Sequence, residues 1–579
     1  MKTRTLAYVC GALAALAPVG ARAQAPILTP RDSARHALNR LAYGPRPGEV
    51  DRVAADGVMR WIDRQLSPRK IDDGPLAARE RRFKILDYDS GELARIYVDA
   101  QRERRKQQRR QGDADRDSVG AQHAGPLPQR MDSSQERGRR LAGAFQELAV
   151  VRAVLSERQL YEVMVDFWTN HFNVFLAKGA DRFLTPSYIE HTIRPRALGK
   201  FADLLIATAE SPAMLFYLDN WESVAPGSKS PQAMRLRARP LFGARPMFGA
   251  RPLFGARPMF GGPPLFDPRR DPMRADSLRR QALERAPKGI NENYARELLE
   301  LHTLGVDGGY TQQDVIQVAR ILTGWSVARP QQGGDFEFHD WAHDYGEKVV
   351  IGVTFPAGHG RDEGVRLLKL LANHPATMHH VSRRLCQRFV NDDPPDGCVD
   401  DAVTAWKRSD GDIREVLRAI FRSPDFWASE NVRAKIKTPL EFVVSAARAV
   451  GGDPDTTPRL AQVVARLGEP LYLHVAPDGY PEREDAWVNS GALLDRMNAA
   501  VVLAAGRLPG VTVSLDSVVP ATPDAEQLIA QANGAVLSGT MSENTKAVIR
   551  RQISDISDPV QARALAVGLA IGGPEFQRR

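Results

Sequence analysis

Residues 290–315, INENYARELLELHTLGVDGGYTQQDV, hold the densest group of polar side chains in this 579-residue chain. In a helix, Asn293, Glu297 and His302 lie on different faces from the remaining charged residues, so these three polar side chains could turn inward. A buried glutamate needs a partner or a raised pKa, and a raised pKa suits a general acid. Glu297 and His302 are therefore candidate catalytic residues, although a helix-packing junction would explain the same pattern. The remaining charges repeat every fourth residue, as in a solvated ladder of ion pairs: Glu292, Arg296 and Glu300.

A second group of chemistry-bearing residues lies in FEFHDWAHDYGEKVVIGVTF, a pattern that predicts two short strands around a polar turn. Two His-Asp pairs stand four residues apart in that turn, and both residue types are good ligands for a divalent metal ion. His339, His343 and Asp344 are therefore candidate metal ligands, and Asp344 is also a candidate catalytic carboxylate. The alternative is a turn-forming Asp beside surface histidines.

Two further polar residues lie in helical patterns. His171 prolongs the apolar stripe of RQLYEVMVDFWTNHF, where a satisfied core histidine is the more common interpretation and a ligand the alternative. Asp219, in LFYLDNWES, could face the central helix only if the segment between them loops out and returns.

Familiar catalytic signatures are absent from the sequence. It contains no P-loop, no GxGxxG, no GxSxG and no HExxH motif, which argues against ATP hydrolysis, nicotinamide chemistry and α/β-hydrolase chemistry. The net charge of +9 is modest and is not concentrated on one face, so the composition does not favour nucleic-acid binding.

The first 25 residues resemble a secretory signal peptide, with Lys2 and Arg4 before a short apolar run and small-x-small cleavage options up to Ala25. No later apolar stretch is long enough to span a membrane. The sequence therefore predicts an exported protein, either periplasmic or extracellular.

Only two cysteines, Cys386 and Cys398, follow that leader. An oxidising compartment would let them close a short loop as a disulfide, which we favour over two inert buried thiols. Two thiolates alone cannot build a four-ligand thiolate metal site.

Hydrophobic periodicity predicts a mainly α-helical fold, a multi-helix body with one small β-hairpin element and long disordered insertions. Thr311 with Asp314 resembles a capping box, Thr438 with Glu441 forms a full one, and Asp412 can start a helix. The chain divides into a signal peptide (1–25), N-terminal helices (26–98), a charged flexible segment (99–140), a first helical core (141–223), an insertion (224–287) and a second helical core (288–579).

The insertion contains four copies of a six-residue repeat, RPLFGA RPMFGA RPLFGA RPMFGG, over residues 239–262. Such short units cannot form a solenoid, and their Pro and Gly content predicts an exposed, disordered loop. Its Phe and Arg side chains could contact a membrane, a glycan or a protein, whereas a neutral expansion is the simpler interpretation.

Motifs along nearly the whole chain resemble one family. FWTNHF, NENYARELLELHTLGVDGGYTQQDV, ARILTGW, RAIFRSPDFW, KIKTPLEFVVSAARAVG and EPLYLHVAPDGYP occur in the order seen in the bacterial family catalogued as domain of unknown function eighteen hundred (DUF1800). The resemblance implies a usually exported bacterial protein without an established activity. It also implies a possible exported partner that resembles the alkaline phosphatase and sulfatase folds.

Two functions follow from these observations. The first is a hydrolase of an envelope or extracellular polymer, with Glu297 and Asp344 as acid and base, with or without a divalent metal ion as cofactor. The second is a non-enzymatic periplasmic binding or assembly protein that works with an exported partner.

Overall fold

The computed structural model describes residues 28–99, 102, 133–228 and 289–579. Within those ranges the chain is mainly α-helical, which confirms the predicted fold class. The predicted signal peptide, the repeat 239–262 and most of the charged segment 99–140 lie outside the described residues. A long helix already begins at Ser133, seven positions before the predicted end of that segment.

The helices before the insertion are short apart from one, and they are Pro30–Leu41, Glu49–Asp56, Val58–Gln65, Gly74–Glu80, 90–99, Ser133–Leu155, Gln159–His171, Asp181–Ser187, Phe201–Ala209 and Pro212–Tyr217. Those after it are Asn293–Glu297, Gln312–Ile321, Arg361–Ala372, Pro375–Phe389, Asp396–Ser409, Ile413–Arg422, Pro424–Trp427, Pro439–Ala449, Arg459–Arg466, Ser490–Ala504, Ala525–Leu537, Glu543–Ile553, Pro559–Gly572 and Pro574–Gln577. Two segments wind as π-helices, Tyr188–Ile193 and Leu298–Thr303.

Polar side chains start several of these helices, as the sequence predicts. The Thr311 and Thr438 hydroxyls each accept from the N–H three residues on, and the acidic residues there complete both capping boxes. Asp412 and Thr29 cap two further helices in the same way. Each cap satisfies a donor that a helix start otherwise leaves unpaired.

The strands form three two-stranded antiparallel sheets instead of one hairpin. They are β1 (Trp325–Val327), β2 (Phe336–Phe338), β3 (Lys348–Val350), β4 (Val353–Phe355), β5 (Asp453–Pro454) and β6 (Val511–Thr512), paired β1–β2, β3–β4 and β5–β6.

The predicted pairing of β2 with β3 is therefore wrong. Ile351 and Gly352 both adopt positive φ, 50° and 73°, so the run KVVIGVTF turns back on itself and pairs with itself. The strand β2 pairs instead with β1. The residues between β2 and β3 are a linker between two hairpins.

The two ends of the insertion meet on the helical body. The backbone N–H of Val224 donates to the carbonyl of Gly289 at 3.1 Å, and that of Asn291 donates to the Ser223 hydroxyl at 3.1 Å. The chain therefore leaves and re-enters the body at adjacent positions, and the central helix follows directly.

The buried apolar side chains form one continuous cluster that runs through the helices on both sides of the insertion. Helix Pro439–Ala449 is buried along its whole length and packs against Ser133–Leu155. Cys386 and Cys398 form a disulfide between consecutive helices, which confirms that prediction. No helix in the described part of the chain is long and apolar enough to cross a membrane.

A buried cluster of charges lies at the start of the Pro439–Ala449 helix. The Glu441 carboxylate accepts the N–H of Thr438 at 3.0 Å and forms ion pairs with Arg388 at 2.8 Å and Arg579 at 2.9 Å. Arg388 is also 3.3 Å from Glu482. Desolvation opposes ionisation of Glu441, but the charges of Arg388 and Arg579 outweigh it and lower its pKa.

We expect Glu441→Ala to lower the free energy of unfolding by about 3–5 kcal/mol, because it leaves two buried guanidinium groups without their shared anion. The loss is largest near neutral pH. It shrinks as the pH falls through the lowered pKa of Glu441, where the wild-type carboxylate itself becomes protonated. Urea unfolding at several pH values measures both effects.

The matched control is Glu526→Ala, which removes a fully exposed partner of Arg550. Its unfolding midpoint should stay close to that of the wild type. Equal effects of the two substitutions would contradict a special role for the buried carboxylate.

Candidate functional site

The central helix changes its winding where the candidate residues lie. It is α-helical over Asn293–Glu297 and π-helical over Leu298–Thr303. In the wider turn, the Thr303 hydroxyl donates to the Leu298 carbonyl five residues earlier, at 2.6 Å. The extra residue in the turn lets His302 lie buried at 1% exposure. Such π-turns occur frequently at functional sites.

His302 lies in a group of buried imidazole rings. Its ring centroid is 6.3 Å from that of His171, whose Nε2 is 3.2 Å from the His302 carbonyl, and His380 lies 6.5 Å from His171. Burial, reinforced by the charge of Arg384, lowers the pKa of His302 to about 3 and that of His171 well below its usual value. These rings are neutral at physiological pH, and neither His171 Nδ1 nor His302 Nε2 has a hydrogen-bond partner among the described residues.

Glu297, one turn before His302, is a half-buried carboxyl group. It has no hydrogen bond or ion pair with a described residue. Burial, then Glu300 and more weakly Asp478, raise its pKa, and the charge of Arg296 only partly offsets them. The surroundings of Glu297 therefore favour its protonated form.

The other polar residues of this helix have partners. Arg296 lies 3.7 Å from Glu292, so that ion pair of the predicted ladder is present. Glu300 instead accepts from the Tyr310 hydroxyl at 3.3 Å. Asn293 is exposed at the helix start.

A loop over residues 474–480 is fastened beside Glu297 by two asparagines. Asn170 exchanges two hydrogen bonds with the backbone of Tyr480, at 2.8 and 2.6 Å. Asn173 donates to the carbonyls of His474 and Ala476 at 3.1 and 2.7 Å. Gly479 adopts φ 73°, and a Cβ there would lie 2.3 Å from the Asn170 carbonyl oxygen, so only glycine permits this approach.

This loop carries to the surface a second carboxylate, Asp478, whose charge acts on Glu297. Asp478 is exposed, and its Oδ1 lies 3.1 Å from His474 Nε2. The Tyr217 hydroxyl donates to the Val475 carbonyl at 2.7 Å. Burial, followed by the charge of Glu297, raises the pKa of Tyr217. We call Glu297, Asp478 and Tyr217 the carboxyl patch.

Asp219 lies at the edge of the carboxyl patch. It adopts a left-handed backbone conformation with φ 59°, and its Oδ1 is 2.8 Å from Lys178 Nζ. Lys178 also donates to the carbonyl of Tyr217. Behind this pair, Asp181 is fully buried, and neither of its oxygens has a hydrogen bond within the described structure. Desolvation raises the pKa of Asp181 well above its usual value.

Asp344 does not reach the carboxyl patch. Its oxygens accept from the Arg320 guanidinium at 2.8 and 3.1 Å and from the Gly346 N–H at 2.9 Å. Desolvation would raise the pKa of Asp344, but the hydrogen bonds from Arg320 outweigh it and lower the pKa. Neither Arg320 nor Gly346 contacts Glu297. The structure therefore does not pair Asp344 with Glu297 as acid and base.

The predicted metal ligands are also not brought together. His343 is buried, with Nδ1 2.8 Å from the Thr323 carbonyl and Nε2 3.0 Å from the His359 carbonyl. His339 instead lies 3.3 Å from Glu337. The strand pairing explains this separation. His339 and His343 lie in the linker between two hairpins, and His343 of that linker is buried in the core. Among the described residues, no three His, Cys, Asp or Glu side chains are grouped so that they could hold a metal ion.

Sequence reasoning missed the residues that the 474–480 loop supplies. Asp478 lies in APDGYP, where an aspartate before glycine indicates only a turn. Tyr217 and Lys178 lie far from Glu297 in sequence, so periodicity could not place them beside it. The one available signal was that FWTNHFN carries two asparagines at the end of a buried helix, Asn170 in its last turn and Asn173 just after it.

Comparison with known families identifies one match. The family model described as "Protein of unknown function (DUF1800)" matches residues 36–578. The chain is therefore a mainly helical member of the DUF1800 family, and the match spans both helical parts and the insertion. No curated protein and no solved structure matches the chain.

We expect Asn170→Ala to release the 474–480 loop, because it removes both side-chain hydrogen bonds to Tyr480. Hydrogen–deuterium exchange should rise by on the order of tenfold at the loop amides, the equivalent of roughly 1–1.5 kcal/mol. Asn373→Ala is the control, since Asn373 is exposed and bonds only its own helix. Unchanged loop exchange in Asn170→Ala would show that the loop does not depend on this asparagine.

Proposed function

We propose that the protein is a hydrolase of an envelope or extracellular polymer, in which Glu297 donates the proton to the leaving group. The observation that supports this most is the Glu297 carboxyl group itself. It is half-buried, has a raised pKa and has no hydrogen-bond or ion-pair partner among the described residues. A carboxyl group whose surroundings favour the protonated form, within reach of the charge of a second carboxylate, is the arrangement with which hydrolases of glycosidic bonds divide the acid and base roles.

Asp478 is the residue proposed for the second role. It lies on an exposed loop, where its carboxylate can activate a water molecule or stabilise positive charge on the substrate. An open surface patch is accessible to a long chain, which favours a polymer over a small metabolite. Tyr217 and the Lys178–Asp219 pair line the same patch and can hydrogen-bond hydroxyl-rich substrates such as glycans.

His302 has a positioning role in this proposal. Its ring is buried and neutral, so it does not exchange protons with a substrate. It anchors the π-turn that directs Glu297 to the surface. Asp344 is left out of the mechanism because Arg320 holds its charge.

We expect Glu297→Gln to lower polymer cleavage by at least about a hundredfold, since the amide cannot donate the catalytic proton. Wild-type activity should fall as the pH rises through the raised pKa of Glu297, where the proton is lost. Glu300→Gln removes a charge that helps to raise this pKa, so it should shift the decline to lower pH. Release of reducing ends from a panel of insoluble polysaccharides measures the loss in Glu297→Gln, the pH profile of the wild type and the shift of that profile in Glu300→Gln.

Asp344→Asn is the matched control, a carboxylate-to-amide change outside the patch, and it should cleave as fast as the wild type once folded. Equal cleavage by Glu297→Gln and wild type would refute the mechanism. Retention of a polymer or of an exported partner without any cleavage would instead favour the alternative, a periplasmic binding or assembly protein.

We also propose that the protein is exported. Residues 1–25 resemble a signal peptide, and the Cys386–Cys398 disulfide is of the kind that forms in oxidising compartments. N-terminal sequencing of the protein from the envelope or medium of a bacterial host should begin at Gln24 or Pro26. A retained Met1 in a cytosolic fraction would be incompatible with export.

A further inference from the structure

One helix joins the two elements that carry the carboxyl patch. The helix Pro375–Phe389 contacts the central helix through His380, whose Nε2 lies 3.3 Å from the Leu301 carbonyl. Further along the same helix, Arg388 lies 3.3 Å from Glu482, which follows the loop that carries the second carboxylate of the patch. The surface between these two contacts is therefore bounded by the central helix on one side and by that loop on the other.

Arg384 lies between the two contacts. Positions four apart follow one face of a helix, so Arg384 is one turn from His380 and one turn from Arg388 on the same face. Its charge acts on both neighbouring elements. After burial, it is the next cause that lowers the pKa of His302 in the central helix, and Asp478 of the loop acts on Arg384 in turn.

The guanidinium group of Arg384 is half-buried, yet it has no hydrogen bond or ion pair with a described residue. None of its nitrogens is among the unbonded side-chain atoms that are sealed from water, so each of them keeps solvent-accessible surface. Burial lowers the pKa of Arg384 more than the charges of Glu482 and Asp478 raise it. An arginine nevertheless stays charged at neutral pH, so Arg384 presents all its N–H donors to a ligand from solvent.

We propose that Arg384 binds a carboxylate group of the polymer, so that the substrate is an acidic polysaccharide built from uronic acid units. This inference rests on the proposed function and names its substrate class. The guanidinium fork matches a planar carboxylate through two parallel hydrogen bonds. The nearby charges of Asp478 and Glu482 favour a singly charged carboxylate over a doubly charged phosphate monoester. Asp478, whose charge acts on both Glu297 and Arg384, connects this position with the carboxyl patch.

Isothermal titration calorimetry with short oligomers of galacturonate and of alginate, each compared with its neutral methyl ester, tests the proposal. An ionic strength of about 0.15 M screens exposed charges. We expect one of the acidic oligomers to bind at least about tenfold more tightly than its ester, and Arg384→Gln to abolish that difference. Arg384→Lys, which keeps the charge but loses the fork, should retain part of it.

The matched control is Arg383→Gln, which removes the same charge from an exposed position of the same helix and should bind as the wild type does. Equal affinity of the wild type for acids and esters would overturn the proposal, and so would a loss in Arg384→Gln that is the same for both. Tighter Arg384-dependent binding of a sulfated oligosaccharide would overturn the assignment to a carboxylate.

A second measurement needs only the wild-type protein, in case Arg384→Gln does not fold. Phenylglyoxal modifies accessible guanidinium groups, and peptide mass spectrometry should show several-fold slower modification of Arg384 when the acidic oligomer is present. The rate at Arg383 should not change, and an unprotected Arg384 would refute the contact. Binding needs no cleavage, so Arg384-dependent binding without any cleavage would support the acidic ligand and contradict the hydrolase.

Discussion

The fold depends on one buried anion. Glu441 closes the capping box of a fully buried helix and neutralises two guanidinium groups that arrive from distant parts of the chain, Arg388 and Arg579. Arg388 also lies 3.7 Å from Asp166, whose pKa burial raises to about 7. Because unpaired charges cost several kcal/mol in such surroundings, the helices that carry them are fixed relative to one another.

The carboxyl patch combines rigid and adaptable parts. The central helix is held by buried side chains, and Glu297 is the last residue before its π-turn. The 474–480 loop is held by side chain–backbone bonds from Asn170 and Asn173 and by the Tyr217 hydroxyl. A loop fastened only at its backbone can present different side chains without disturbing the core.

The sequence predicted the helices well because their signals are local. The capping boxes at Thr311 and Thr438, the apolar faces and the disulfide all depend on neighbouring residues. The prediction from sequence was wrong for KVVIGVTF, a short pattern that has two interpretations. One strand was predicted, but two residues with positive φ turn the segment into a hairpin. The sequence could not foresee the π-turn or the meeting of Glu297 with Asp478 and Tyr217, since periodicity has no information about contacts between distant segments.

The hydrogen bond between Val224 and Gly289 has a practical meaning for evolution and for engineering. Because the body already joins the two ends of the insertion, the length of chain between them adds little strain. Doubling such a length costs only about 0.6 kcal/mol of closure entropy. The chain therefore tolerates insertions of different length at this position. Repeats can multiply there by unequal recombination, and a reporter domain whose termini lie close together can replace them. Neither change would move the central helix, which begins four residues after Gly289.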